Sequence, residues 1–253
     1  MSDNKTIDLL ITRQDRPDSQ SYVQEFSIPY QPNMNITSCL MVIRENPVTK
    51  DGQRVNPVVW KDACLEEVCG SCSMLINGTP RQACSTLVDK IQQPIHLAPL
   101  SSFPTVRDLY VDRSVMFDAL KKVHAWTDID GPFDLGRGPR MAEGTRKWAY
   151  KLSECMTCGC CYEACPNCGP KSPFVGPAAI SQVRLHNVTT LGKLNKDVRL
   201  SALMQYGGIT NCGNAQNCEQ VCPKEIPLTT SIAAMNRATT AASFRHAFGS
   251  DYL

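Results

Sequence analysis

Fourteen of the 253 residues are cysteine, and their spacing says more than their number. Cys64, Cys69 and Cys72, followed by Cys84, read C-x4-C-x2-C…C. Cys155, Cys158, Cys161 and Cys165, with Pro166 behind them, read C-x2-C-x2-C-x3-C-P. Cys212, Cys218 and Cys222-Pro223 repeat that second pattern with one position missing. The first spacing is the plant-type arrangement of thiolates for a [2Fe–2S] cluster. Zinc also accepts four thiolates, but usually as two short C-x2–4-C pairs, which a C-x4-C-x2-C triplet fits poorly.

In a two-cluster run of the second type, the fourth cysteine serves the other cluster. Repeating the first run from Cys212 asks for cysteine at 212, 215, 218 and 222, and position 215 is alanine. Cys155, Cys158, Cys161 and Cys222 then form a complete set for a [4Fe–4S] cluster. Cys165, Cys212 and Cys218 form an incomplete set, for which a [3Fe–4S] cluster is expected; a [4Fe–4S] cluster with a non-cysteine ligand is the alternative. Three cysteines remain. Cys160, beside Cys161, should point away from the cluster, Cys168 is out of register, and Cys39 lies on a predicted helix face. All three read as small thiols without a ligand role.

The elements that must position these thiols change character along the chain. The first hundred residues are β-rich, with runs at Ile7–Thr12 and Tyr22–Ile28 bounded by polar turns. Ile36, Leu40 and Ile43 share a helical face that Pro47 ends. Asn77-Gly78 between Met74–Ile76 and Thr79 predicts a type I′ hairpin, which brings Cys72 and Cys84 to the open ends of paired strands. Gly70 lets the loop wrap so that backbone N–H groups can face sulfur. Val106–Asp112 reads as a last strand or extended exit segment. Asp112 then caps a predicted helix over Arg113–His124 with Met116, Leu120 and Val123 on one face. A Pro/Gly-rich connection over 127–145 precedes helices at about 145–153, 177–187, 196–206 and 228–247. No cysteine falls between Cys84 and Cys155, which suggests two modules.

Composition narrows the function classes. Twenty-six Lys and Arg against 24 Asp and Glu leave a net charge of +2, without the basic footprint of a nucleic-acid binder. Apolar residues make up 42% of the chain, enough for packed cores. No run approaches the roughly 18–20 apolar residues of a membrane span, and no apolar segment follows Met1 as in a signal peptide. The expectation is a soluble intracellular chain, where thiols more often bind metal than form disulfides. The four histidines are scattered, and Arg137, Arg140, Arg146, Lys147 and Lys151 around Glu143 read as a solvated basic face. Neither a phosphate loop nor a catalytic constellation is legible. The chain is expected to carry electrons, with no catalytic residue of its own.

Plant-type ligands first, bacterial-type ligands second and a last motif lacking one cysteine resemble the iron–sulfur subunit of succinate dehydrogenase and fumarate reductase, respiratory complex II. The match runs over essentially the whole chain. It is carried by Cys64–Cys84, Cys155–Pro166 and Cys212–Pro223, with Phe174-Val-Gly-Pro-Ala and Ile226-Pro-Leu-Thr-Thr-Ser-Ile-Ala-Ala. It looks most like the Gram-positive, menaquinone-linked succinate dehydrogenases. The resemblance implies an α+β chain: a β-grasp, plant-type ferredoxin-like domain over 1–108 and an all-helical, two-cluster ferredoxin-like domain over 109–253. It implies an FAD-bearing flavoprotein partner and a membrane cytochrome b anchor with haem b, which holds this subunit at the cytoplasmic side of the cell membrane. Single electrons would then pass from the flavin through [2Fe–2S], [4Fe–4S] and [3Fe–4S] clusters to the anchor and menaquinone.

Ubiquinone-linked members carry a tryptophan shortly after the C-P proline and a histidine directly after the first cysteine of the last motif. Here Asn167-Cys-Gly-Pro-Lys follows Pro166, and Gly213 follows Cys212. Of that quinone site only Pro166 carries over, so a haem in the anchor is the expected electron acceptor. The rival readings are a quinol:fumarate reductase subunit, a multi-cluster ferredoxin serving another dehydrogenase, and a zinc scaffold.

Overall fold

The computed structural model describes residues 5–128 and 140–249. The chain forms two compact units: residues up to Arg113 together with Met156–Glu163, and Ser114–Cys155 together with the residues from Ala164 onward. The first unit contains the sheet. Strands β1 (Thr6–Arg13) and β2 (Tyr22–Pro29) pair antiparallel, with Leu9 opposite Phe26. Helix α1 (Ile36–Glu45) follows, its N-terminus capped where Asn35 Oδ1 accepts the Ser38 N–H at 2.8 Å. Strands β3 (Ser73–Ile76) and β4 (Thr79–Gln82) form the hairpin expected from Asn77-Gly78, whose φ angles of 48° and 75° suit a type I′ turn.

Strand β5 (Ile95–Ala98) lies between β1, to which it is parallel, and β3, to which it is antiparallel, giving the order β2-β1-β5-β3-β4. This central strand is not visible in the sequence pattern, being only four residues long between Pro94 and Pro99. The expected last strand is two: β6 (Thr105–Arg107) and β7 (Tyr110–Val111) pair around a turn at Asp108, whose φ is 47°.

The alternation of β1 explains that turn. Ile7, Leu9 and Ile11 point into a core with Ile36, Leu40 and Ile43, and the same period-2 phase turns Arg13 inward. A buried guanidinium needs a partner, and Asp108 supplies it: Arg13 Nε donates to Asp108 Oδ1 at 2.8 Å, both side chains being essentially inaccessible. Asp108 Oδ2 also accepts the Val59 N–H at 2.8 Å, so this carboxylate ties three segments of the unit together. Cys39 sits among the α1 core residues, where burial pushes its thiol up to about 12.

In the second unit the regular elements among the described residues are all helices. Helix α2 (Ser114–Lys122) is shorter at its start than the sequence suggests, because Arg113 stands outside it. Helix α3 (Glu143–Ser153) leads into the second cysteine group, and the one-turn helix α4 (Cys160–Glu163) belongs to the first unit. Helices α5 (Gly176–Val188), α6 (Lys196–Met204), the one-turn α7 (Asn217–Gln220) and α8 (Leu228–Phe248) complete the order.

Small residues on α5 admit α8 closely, with Ser181 Oγ and Ser231 Oγ 3.4 Å apart. Ile180, Val183, Leu200, Leu203 and Met235 fill the core. Arg199 is fully buried there and held by backbone carbonyls. Its Nε donates to the His124 carbonyl at 2.8 Å, and its Nη1 to the Gly192 carbonyl at 2.6 Å. Among the described residues no helix is long and apolar enough to cross a membrane. Gly131-Pro132, Arg137 and Gly138-Pro139 lie outside the described residues.

Candidate functional site

The loop from Cys64 to Cys72 is built around sulfur. Leu65, Glu67 and Gly70 have φ angles of 61°, 56° and 67°. These left-handed residues curl the chain so that several N–H groups face inward, as in an anion-binding nest. The Glu66, Val68 and Cys69 N–H groups donate to Cys64 Sγ at 3.4, 3.3 and 3.3 Å, and the Ser71 N–H donates to Cys69 Sγ at 3.4 Å. Burial pushes the Cys69 thiol up, but the bonds from Ser71 outweigh it and bring it down to about 6.

Cys72 immediately precedes β3 and Cys84 lies two residues beyond β4; the Ala83 N–H donates to the Cys72 carbonyl at 3.1 Å and closes the open end of the hairpin. The Cys72 and Cys84 thiols are hydrogen-bonded to each other. Burial, reinforced by the Cys84 thiol, pushes Cys72 up to about 12. Two such thiols cannot both ionise in place unless a cation lies between them. Amides aimed at sulfur and paired, buried thiols are what a thiolate-held [2Fe–2S] cluster requires, so this donor set fits one.

Gly70 is required by crowding as well as by its φ: a Cβ there would stand 2.8 Å from Cys158 Cα. The Gly70 carbonyl accepts from Ser73 Oγ at 2.9 Å and from Arg113 Nη1 at 2.6 Å. The same guanidinium nitrogen binds the Thr157 carbonyl at 3.1 Å and the Cys158 carbonyl at 3.0 Å. Arg113 thus fastens two cysteine-bearing loops of the first unit. Its sequence position suggests only a helix residue, because its partners are remote carbonyls that leave no local pattern.

Cys160 is fully buried and hydrogen-bonded both to Gln82 Nε2, at 3.4 Å, and to Cys158. That second bond, ahead of an opposing burial effect, brings Cys158 down to about 7. Cys161 is buried in α4. Cys158 and Cys161 belong to the first unit, and Cys155 and Cys222 to the second. In the second unit, the Ile226 N–H donates to Cys222 Sγ at 3.4 Å.

The second unit also gathers the incomplete set. Cys165, Cys212 and Cys218 line one pocket, together with Pro166, Asn167 and Ala215. A hydrogen bond from the Cys168 thiol, helped by the backbone N–H groups of Asn167 and Cys168, outweighs burial and brings Cys165 down to about 6. Burial pushes Cys218 up to about 11, and the neighbouring Cys165 and Cys212 thiols add to that. Ala215, the position at which the repeat lacks a cysteine, lines the same pocket. The chain is tied around it by hydrogen bonds from Asn167 Nδ2 to the Asn211 carbonyl and from Asn217 Nδ2 to the Ala164 carbonyl. Gly213 packs against Asn167, whose amide nitrogen would be 3.1 Å from an added Cβ.

All fourteen cysteines are free thiols. Among the described residues no three His, Cys, Asp or Glu side chains are placed to hold a single metal ion. A cluster makes a different demand, since its cysteine thiolates are shared out over several irons. The basic face is partly neutralised: Arg146 Nε binds Glu143 at 2.7 Å and Lys151 binds Glu154 at 2.9 Å.

Comparison with known proteins follows this division. Residues 8–118 match the family described as a 2Fe-2S iron–sulfur cluster binding domain, and residues 151–226 the one described as a 4Fe-4S dicluster domain. Fold and thiol loops together define an iron–sulfur protein with its [2Fe–2S] domain ahead of its [4Fe–4S] domain.

The chain is 61% identical to the succinate dehydrogenase iron–sulfur subunit of Bacillus subtilis, over 99% of each protein. It is 30% identical to the fumarate reductase iron–sulfur subunit of Wolinella succinogenes, over 87% of this chain and 90% of that one. A chain of the Mycobacterium smegmatis Sdh1 complex in its apo form shares the fold, with a TM-score of 0.79 at 21% identity over 95% of this chain and 98% of that one. The chain belongs to the family of succinate dehydrogenase iron–sulfur subunits, which are parts of an oxidoreductase complex.

Proposed function

We propose that the chain is the one-electron conduit of a succinate:quinone oxidoreductase. The observation that carries this reading is the 61% identity over 99% of the chain, against 30% for the fumarate reductase relative. Iron–sulfur clusters supply the chemistry, accepting and releasing electrons one at a time. The chain's own residues hold and tune them. Cys64, Cys69, Cys72 and Cys84 take the [2Fe–2S] cluster, and the amides converging on Cys64 and Cys69 stabilise the sulfur charge. Cys155, Cys158, Cys161 and Cys222 take [4Fe–4S]. Cys165, Cys212 and Cys218 take [3Fe–4S], because Ala215 offers no thiolate to a fourth iron.

The mixed sheet with α1 against it supports a β-grasp class for residues 1–108, and the helices with two cysteine runs support a two-cluster ferredoxin class for 109–253. The partners are an FAD-bearing flavoprotein that oxidises succinate and a haem-bearing cytochrome b anchor on the cytoplasmic side of the membrane. Menaquinone is then reduced through that anchor, and Pro166 is this chain's candidate quinone contact. Iron and acid-labile sulfide in the intact complex test the cluster set. About nine iron atoms per subunit, haem excluded, agree with it; about ten would put a four-iron cluster at the Ala215 pocket, and none would end the reading.

A further inference from the structure

Gln82 is the last residue of β4, and the strand's alternation turns it inward, where 1% of it is exposed. Its amide touches three groups of the first unit. Nε2 donates to Ser73 Oγ at 2.8 Å and to Cys160 Sγ at 3.4 Å, while Oε1 accepts from Cys72 Sγ at 3.6 Å. The last bond exists only while Cys72 carries its proton. A metal-bound thiol is deprotonated, and the amide oxygen would then face an anionic sulfur, two buried acceptors with no hydrogen between them.

Turning the amide over exchanges N and O in the same volume and cures this. Nε2 then faces Cys72 Sγ, and Oε1 faces the Ser73 hydroxyl and the Cys160 thiol, both of which carry a hydrogen. Ser73 now donates to the Gly70 carbonyl at 2.9 Å, and it can be released because Arg113 Nη1 holds the same carbonyl at 2.6 Å. The Cys160 hydrogen, now shared with Cys158, would turn to Oε1.

We propose that in the cluster-loaded protein the Gln82 amide donates a hydrogen bond to the Cys72 sulfur and so sets the potential of the [2Fe–2S] centre, with Ser73 and Cys160 as the groups that hold the amide in that orientation. Gln82 is thus a positioning residue for electron transfer, and Cys160 acquires a role without being a ligand. A donor on a ligand sulfur stabilises the more negative, reduced state, so the bond raises the potential. The inference rests on the assignment of Cys72 as a [2Fe–2S] ligand.

The test uses the intact complex with 15N in the glutamine side chains. Pulsed EPR of the reduced [2Fe–2S] centre should show coupling to an amide nitrogen that Gln82→Leu and the unbranched Gln82→Met both abolish. Redox titration should show the [2Fe–2S] potential falling in both variants, and falling less in Cys160→Ala, with the three-iron potential unmoved. An unchanged [2Fe–2S] potential in a loaded variant, or no side-chain nitrogen coupling in the wild type, overturns the inference while leaving the ligand assignment standing. Should neither variant load its cluster, the wild-type coupling decides alone. A wild-type complex with no [2Fe–2S] signal at all overturns the ligand assignment itself.

Discussion

The Cys64–Cys84 site and the Cys165–Cys212–Cys218 pocket solve one problem, holding adjacent sulfur charges, in different ways. In the first, a short loop bends through three left-handed residues and spends its backbone N–H groups on sulfur. Two of its four thiols come from a hairpin whose turn chemistry is local. In the second, the thiols come from segments nearly fifty residues apart and meet because helices pack; Cys165 has the Cys168 side chain beside it as well as the backbone of Asn167 and Cys168, and the Asn167 side chain packs against Gly213. The first site is therefore vulnerable to backbone changes and the second to changes of ligand and packing.

The largest expected effects separate the two sites outright. Cys84→Ala should abolish the [2Fe–2S] EPR signal and reduce succinate:quinone turnover to background, with the three-iron signal retained; Cys218→Ala should do the reverse. Loss of both signals in either variant would break the comparison. Ala215→Cys sharpens it: a fourth thiolate in the pocket should replace the oxidised three-iron signal with a four-iron cluster and lower quinone reduction several-fold, leaving the [2Fe–2S] spectrum unchanged.

Stability effects come next. Asp108→Ala leaves Arg13 buried and unpaired, and denaturant midpoints should show a loss of about 3–5 kcal/mol confined to the first unit. Gly70→Ala should cost more than the roughly 1–2 kcal/mol of a left-handed alanine, because its Cβ also meets Cys158 at 2.8 Å. Gly78→Ala has a similar φ and nothing within 4 Å, so it should show the backbone cost alone with normal [2Fe–2S] occupancy.

The smallest effect belongs to His186 in the second unit. Burial, and then Arg199, hold its pKa below the ordinary value. The unfolded chain therefore binds the proton first, and His186 costs stability as pH falls through the ordinary histidine range toward its folded pKa. His186→Gln should flatten the decline in melting temperature between about pH 7.5 and 5.5 relative to wild type.

What could be read from the sequence was local. The ligand spacings, the Asn77-Gly78 hairpin and the apolar face of α1 each lie within a window of some twenty residues, and the hairpin and the helix face are found in the structure. Strand β5 escaped because four residues between prolines carry no periodicity of their own. Arg13, Asp108, Arg113 and Gln82 escaped for a different reason. Each is an ordinary polar residue in sequence, and its role comes from a partner that folding brings from elsewhere in the chain. Cys160 looked idle for the same reason, since nothing nearby in sequence names Gln82 as its neighbour. Ala215 was legible only as a gap in a repeat, and it lines the pocket of the three cysteines that the gap leaves short.

The proposed function has this chain carrying electrons from succinate through three clusters, the last of them short of one ligand. Low-temperature EPR of anaerobic membranes containing the complex, before and after succinate, tests it most directly. The expected result is an oxidised three-iron signal that disappears while a reduced [2Fe–2S] signal grows. Clusters that are present yet indifferent to succinate would contradict the donor assignment, and intact preparations without any iron–sulfur signal would contradict the account as a whole.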